Sequence, residues 1–155
     1  MHVSSALAGE AIIVRPTWRS FEETITGLVD RLIVAGRLPQ PLAARAVQRI
    51  CEREAAASTA MVDIGVSIPH ARLDGVTGIV AAMAVSSGAV YEVGDHLPIS
   101  IVALVLSPPN LTGEHLNFLS ALSLLLQSSR VREALRAATT PATVLRLVQS
   151  SEQGS

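Results

Sequence analysis

A chain of 155 residues with 12 basic and 13 acidic side chains, net charge −1, is most simply one domain, long enough to bury about two-thirds of the surface its unfolded form exposes. The charges are balanced and dispersed, which disfavours DNA, RNA or an anionic membrane as a partner. All 12 cations are Arg, so any phosphate must be met by guanidinium forks, helix ends or His.

The hydrophobic fraction of 49% and mean hydropathy of +0.43 raise the question of a membrane. The densest apolar run, "ISIVALVL" (99–106), is far below the ~20 residues a spanning helix needs, and Pro98, Pro108 and Pro109 bracket it. "MHVSSALAGEAIIVR" lacks a basic leader and carries Glu10 where a signal peptide would be apolar. A single Cys51 offers neither a disulfide framework nor a thiolate metal cluster. The expectation is a cytoplasmic protein with no direct membrane insertion.

In chain order, "AIIV" (11–14) reads as a short strand. "SFEETITGLVDRLIVAG" follows as a helix, with Ser20 and Glu23 as a capping box and Gly36 at its C-terminal cap. Pro41 suits the first turn of a second helix running to about Glu54, with Ala43, Ala46, Val47 and Ile50 inward. In "DIGVSIPHARLDG" (63–75), Ile64, Val66 and Ile68 alternate as in a half-buried strand, and Pro69 is expected to stop the ladder just before His70. "VTGIVAAMAV" (76–85) and "PISIVALVL" (98–106) read as fully buried strands.

Thr112 is the expected N-cap of the next helix, in which His115, Phe118, Leu119, Leu122, Leu125 and Leu126 share one face. A helix near 130–138 and another begun by Thr140 and Pro141 complete the pattern. Strands interspersed with long helices predict an α/β fold: a single domain over residues 1–150 with a mixed central sheet flanked by helices on both faces, and a disordered tail over 151–155.

Of the four histidines, His2 is terminal and His96 sits in a polar turn, whereas His70 and His115 stand where buried elements meet loops. A structural histidine is the commoner outcome for either. No HxxxH or HExxH pair, no GxSxG elbow, and no GxGxxG or phosphate-binding GKS/T loop is present, so zinc, a serine nucleophile and a tightly held nucleotide lack support. No metal and no cofactor is expected. What remains is His70 as a nucleophile: a neutral imidazole accepts a phosphoryl group if its other nitrogen is held by an acceptor and the phosphoryl oxygens are neutralised nearby. His115, near the positive end of its helix, should be biased toward the neutral form and can still donate one N–H.

The run "RE", three residues, "ST", then "GVSIPHAR" (Arg53 to Arg72) resembles the active-site signature of the enzyme IIA domains of the bacterial phosphotransferase system, of the fructose, mannitol and nitrogen-regulatory type. The likeness extends to "HLNFLSALSLLL" and covers about residues 10–149. The resemblance implies that His70 takes a phosphoryl group from the carrier protein HPr on Nε2, and passes it to a separate IIB component or uses it as a regulatory state. It implies that His115 hydrogen-bonds the phosphoryl group, that Arg53 offsets its charge, and that Ser58 and Thr59 are the hydroxyl pair ahead of the strand. The approach "AMVDIGVSIPH" has fewer glycines than the family's and one residue more between Thr59 and His70. That irregularity motivates the competing reading, a non-catalytic interaction module of the same fold with an inactive site.

Overall fold

The computed structural model describes residues 2–153. Its centre is β8 (Ile101–Ser107), every residue of which is buried. The sheet runs β1 (Leu7–Val14), β5 (Val80–Val85), β8, β3 (Val66–Ser67), β2 (Ala60–Met61), and β4 (His70–Arg72) also pairs with β8. It is mixed: β1 is parallel to β5, β5 antiparallel to β8, and β3 and β4 parallel to β8.

Alternation along the strands sorts side chains into two cores. Ala82, Ala84, Val102, Leu104, Leu106 and Ala71 face α2 (Phe21–Val34) and α3 (Ala43–Ala56). Met83, Val85, Ile101, Ala103, Val105 and Ile68 face α1 (Val3–Ala6), α4 (Thr112–Gln127), α5 (Ser129–Ala137) and α6 (Pro141–Gln153). With both faces covered, β5 and β8 must be apolar throughout, which explains their unbroken hydrophobic character. Each Leu, Ile or Phe fully buried there contributes about 1.5–3 kcal/mol, Phe118 and Leu104 among them.

The ends of α2 follow the sequence closely. The Ser20 hydroxyl accepts the Glu23 N–H at 3.1 Å, while the Glu23 carboxylate turns back to the N–H of Arg19 at 2.7 Å. At the other end, Gly36 has φ +72°; its N–H and that of Arg37 donate to the carbonyls of Ile33 and Leu32, a two-bond cap that needs the left-handed glycine.

Several expectations are corrected. Pro69 does not end the ladder: Val66 and Ser67 pair with Ile101 and Val102, and His70 to Arg72 with Val105 to Ser107, in one unchanged register. The proline contributes no donor, but its carbonyl accepts the Val105 N–H at 3.0 Å. The residues before it, Val62 to Gly65, form a turn between β2 and β3 rather than strand, and Gly65 has φ +68°.

The expected strand over 98–106 divides at Ser100. Its first part, β7 (Leu97–Ile99), pairs with β6 (Tyr91–Val93) in a separate two-stranded ribbon. Ser100 makes the corner, donating its N–H to Gly65 O and accepting the Ser86 N–H. The N-cap of α4 is Leu111, and Thr112 is its first helical residue.

The tail expected from Ser151 onward instead continues α6 to Gln153. Ser151 donates its hydroxyl to Leu147 O at 2.7 Å. Glu152 accepts the N–H groups of Val3 and Ser4, so it caps α1 and ties the two ends of the chain together. Residues 154–155 lie outside the described part. Among the described residues no helix is long and apolar enough to cross a membrane.

Candidate functional site

The carboxyl ends of β4 and β8 meet the start of α4, which follows β8 through Pro108 to Leu111. Period-two alternation turns His70 and Arg72 toward the α4 side and Ala71 toward α3. His115, one turn into α4, comes down on the same spot. A cleft results, lined by Arg49, Glu52 and Arg53 of α3, His70, Ala71 and Arg72 of β4, and His115 and Leu116 of α4. Among the described residues no three His, Cys, Asp or Glu side chains group as a metal site would require.

The two imidazoles lie with ring centroids 5.6 Å apart and planes inclined by 55°. His70 Nδ1 is 2.8 Å from the carbonyl oxygen of Ile68. A carbonyl only accepts, so Nδ1 carries the proton and donates it, and the lone pair is on Nε2. His115 is 5% exposed, and its Nδ1 lies 2.6 Å from the Ser107 hydroxyl. Burial first, then the neighbouring His70 and Arg72, push His115 down to about 4, so it is neutral near pH 7.

Arg72 anchors the loop between β8 and α4. Its Nη2 donates to the carbonyl of Pro109, to that of Pro108 at 3.5 Å and to the Thr112 hydroxyl at 3.0 Å. Thr112 therefore serves Arg72 rather than capping the helix. Arg72 Nε is buried without a protein partner.

The residues of the "RE…ST" run are placed differently from one another. Arg53 is exposed in the cleft, one Nη1 donating to Ala57 O at 3.0 Å across the end of α3. Ser58 and Thr59 do not line the cleft. Their hydroxyls donate to the Glu54 carboxylate at 3.0 and 2.7 Å, and the Thr59 N–H adds a third bond at 2.8 Å. The hydroxyl pair thus belongs to a clamp that ends α3 and starts β2. The sequence brought His70, His115 and Arg53 to attention, and the fold unites them. It passed over Arg72 and Ser107, whose signal was present only as the strand period of β4 and β8 that aims them at α4.

The family model described as "Phosphoenolpyruvate-dependent sugar phosphotransferase system, EIIA 2" matches residues 5–151. A fructose-specific EIIA component of the phosphotransferase system from Haloferax volcanii is 36% identical over 124 residues, 79% of each chain. The crystal structure of the nitrogen regulatory protein IIA-Ntr from Neisseria meningitidis matches with a TM-score of 0.81 at 25% identity, covering 94% of this chain and 98% of that one. The mannitol enzyme IIA of Escherichia coli, in its complex with phosphorylated enzyme IIB, shares the fold, with a TM-score of 0.74 at 20% identity over 92% of this chain and 96% of that one.

Proposed function

The chain belongs to the EIIA type 2 family of the phosphoenolpyruvate-dependent sugar phosphotransferase system, and on that premise we propose that it is a cytoplasmic phosphocarrier working through a phosphohistidine at His70. The observation that carries this reading is the bond from His70 Nδ1–H to Ile68 O at 2.8 Å. It holds the proton of the neutral ring on Nδ1 and leaves the lone pair on Nε2 as the nucleophile.

In the proposed step Nε2 attacks the phosphorus of phosphorylated HPr. The donor's P–N bond breaks as the new P–Nε2 bond forms, and the electron pair returns to the donor imidazole. Three phosphoryl oxygens must be met as this happens. Arg53 supplies a guanidinium from α3, Arg72 a second positive charge at the foot of the cleft, and His115 a neutral N–H donor. Glu54, held by Ser58 and Thr59, positions the turn that carries Arg53. In the onward step the same groups release the phosphoryl to a separate IIB component, or the phosphorylated state itself acts as a regulatory signal.

The test is incubation with phosphoenolpyruvate, enzyme I and HPr, followed by intact mass. The expected result is one acid-labile phosphoryl group, absent in a folded His70→Ala variant. Arg53→Ala and His115→Ala should remain folded and accept the group more slowly. No gain in the wild-type chain would favour the interaction module instead.

A further inference from the structure

Ser107 is the last residue of β8 and is fully buried. Its backbone is spent on the sheet: its carbonyl accepts the Leu73 N–H at 2.8 Å, and it lies opposite Arg72 in the ladder. Its side chain sits on the α4 face, and its hydroxyl has His115 Nδ1, at 2.6 Å, as its only partner among the described residues.

Two proton arrangements fit that distance. If Nδ1–H donated to Oγ, the serine's own proton would be left in the core with no acceptor, a penalty that buried hydroxyls rarely carry. If the serine donates to Nδ1, its proton has an acceptor inside the core and the ring's own proton is turned to the cleft. The single N–H of the neutral ring is then on Nε2. Among the described residues no protein group bonds His115 Nε2, and the ring borders the cleft that holds His70.

The choice has a direct effect on phosphoryl transfer. A neutral imidazole has one donor and one lone pair. Presented to a phosphoryl oxygen, the donor attracts and the lone pair repels. A buried, neutral His115 helps only if the proton is on the cleft side.

We propose that Ser107 is a positioning residue for phosphoryl transfer: by donating its hydroxyl to His115 Nδ1, it fixes that ring's only proton on Nε2, facing the phosphoryl group on His70. The proposal rests on the reading of His70 as phosphoacceptor. It extends it to a buried serine that itself touches no phosphoryl oxygen.

The test is nitrogen-15 NMR of the imidazoles in the unphosphorylated protein near pH 7.5, together with single-turnover phosphorylation by HPr. Wild type should show His115 protonated on Nε2 alone. Ser107→Ala should show a mixture of tautomers and slow transfer by at least about tenfold, short of the roughly 100- to 1,000-fold that outright loss of one transition-state donor costs. Ser107→Thr, which keeps the hydroxyl, should restore the single tautomer and most of the rate.

A wild-type spectrum with the proton on Nδ1 overturns the proposal without any variant, so a misfolded substitution does not shelter it. Unchanged tautomer and rate in Ser107→Ala overturn it as well. Failure of the wild type to be phosphorylated removes the His70 reading and with it the role of Ser107 in transfer, whereas the tautomer is read independently of that outcome.

Discussion

His70 and His115 face each other with ring centroids 5.6 Å apart, one from a strand and one from a helix, each with its Nδ1 held by an oxygen of its own element's surroundings. The partners differ in kind. Ile68 O can only accept and so makes His70 a donor at Nδ1, while the Ser107 hydroxyl can donate to His115. Two similar rings are thereby given opposite tautomers: a lone pair at Nε2 on one and an N–H at Nε2 on the other. In the proposed transfer, backbone and hydroxyl placement alone would set one ring as nucleophile and the other as donor to its product.

The depressed His115 predicts an acid sensitivity with a definite sign. Its folded value of about 4 lies below the 6.5 of an unconstrained histidine. Above pH 6.5 neither state is protonated and the group has no effect. Between 6.5 and 4 the unfolded chain takes up a proton that the folded chain refuses, so stability falls with falling pH. The slope is at most about 1.4 kcal/mol per pH unit, and solvent in the cleft reduces it. His70 and Arg72 from β4 and Arg49, Glu52 and Arg53 from α3 line the same cleft. Urea unfolding of wild type and His115→Gln from pH 7.5 to 4.5 isolates the effect: the variant should lose less stability on acidification. Parallel pH profiles would show that His115 is not held neutral by the fold.

Arg72 should matter twice, through charge and through the loop it holds. Arg72→Ala removes the donors to Pro108 O, Pro109 O and the Thr112 hydroxyl, and with them the anchor of the first turn of α4. A stability loss of about 1–3 kcal/mol is expected, because hydrogen bonds from a charged donor exceed neutral ones. Phosphoryl transfer should slow at the same time. Arg72→Lys retains the charge but not the planar guanidinium whose Nη2 reaches the loop, and should recover part of the rate and little of the stability. Denaturant titration and single-turnover transfer on the same preparations check both, and a wild-type rate in Arg72→Ala would remove it from the transfer step.

Much of this arrangement was readable from local pattern. The capped helix α2 and the apolar faces of α3 and α4 follow from side-chain period and end residues; His70 and His115 stand out where buried elements meet loops, and Arg53 comes only with the resemblance to the enzyme IIA signature. What escaped depends on pairing across the sheet. Pro69 looks like a terminator because it lacks an N–H, yet in the parallel ladder with β8 its carbonyl was what the partner needed. Ser58 and Thr59 look like site hydroxyls until Glu54, one turn back, takes both. Ser107 reads as the end of an apolar run, and only the fold brings His115 onto it.

Glu54 is a point where a single oxygen can be changed. Its carboxylate accepts from the Ser58 hydroxyl, the Thr59 hydroxyl and the Thr59 N–H. Glu54→Gln keeps one acceptor and replaces the other with an NH2 facing donors, so a loss of about 1–2 kcal/mol is expected. Because Arg53 bonds Ala57 O within the same turn, transfer should slow several-fold without being abolished. Thermal melting and transfer kinetics decide, and neutrality in both would mean that the clamp is ornamental.

Gly65 tests the irregular approach to His70. It occupies φ +68°, which costs a residue with a Cβ roughly 1–2 kcal/mol. A Cβ there would also stand 3.3 Å from Arg136 Nη2, Pro98 O and Ser100 Oγ. Those neighbours are not free to yield. Arg136 donates to Ile64 O at 2.6 Å and to Ser100 Oγ at 2.7 Å, pinning the turn to the corner where β7 gives way to β8. Gly65→Ala should therefore lower stability by about 2 kcal/mol or more, measured by urea unfolding. His70, the proposed nucleophile, stands beyond the turn in β4, with its own register to β8 and its bond to Ile68 O, so the folded fraction should still be phosphorylated there. A stable Gly65→Ala protein that fails to accept the group would instead mean that the turn shapes the site, and that its departure from the family pattern bears on activity.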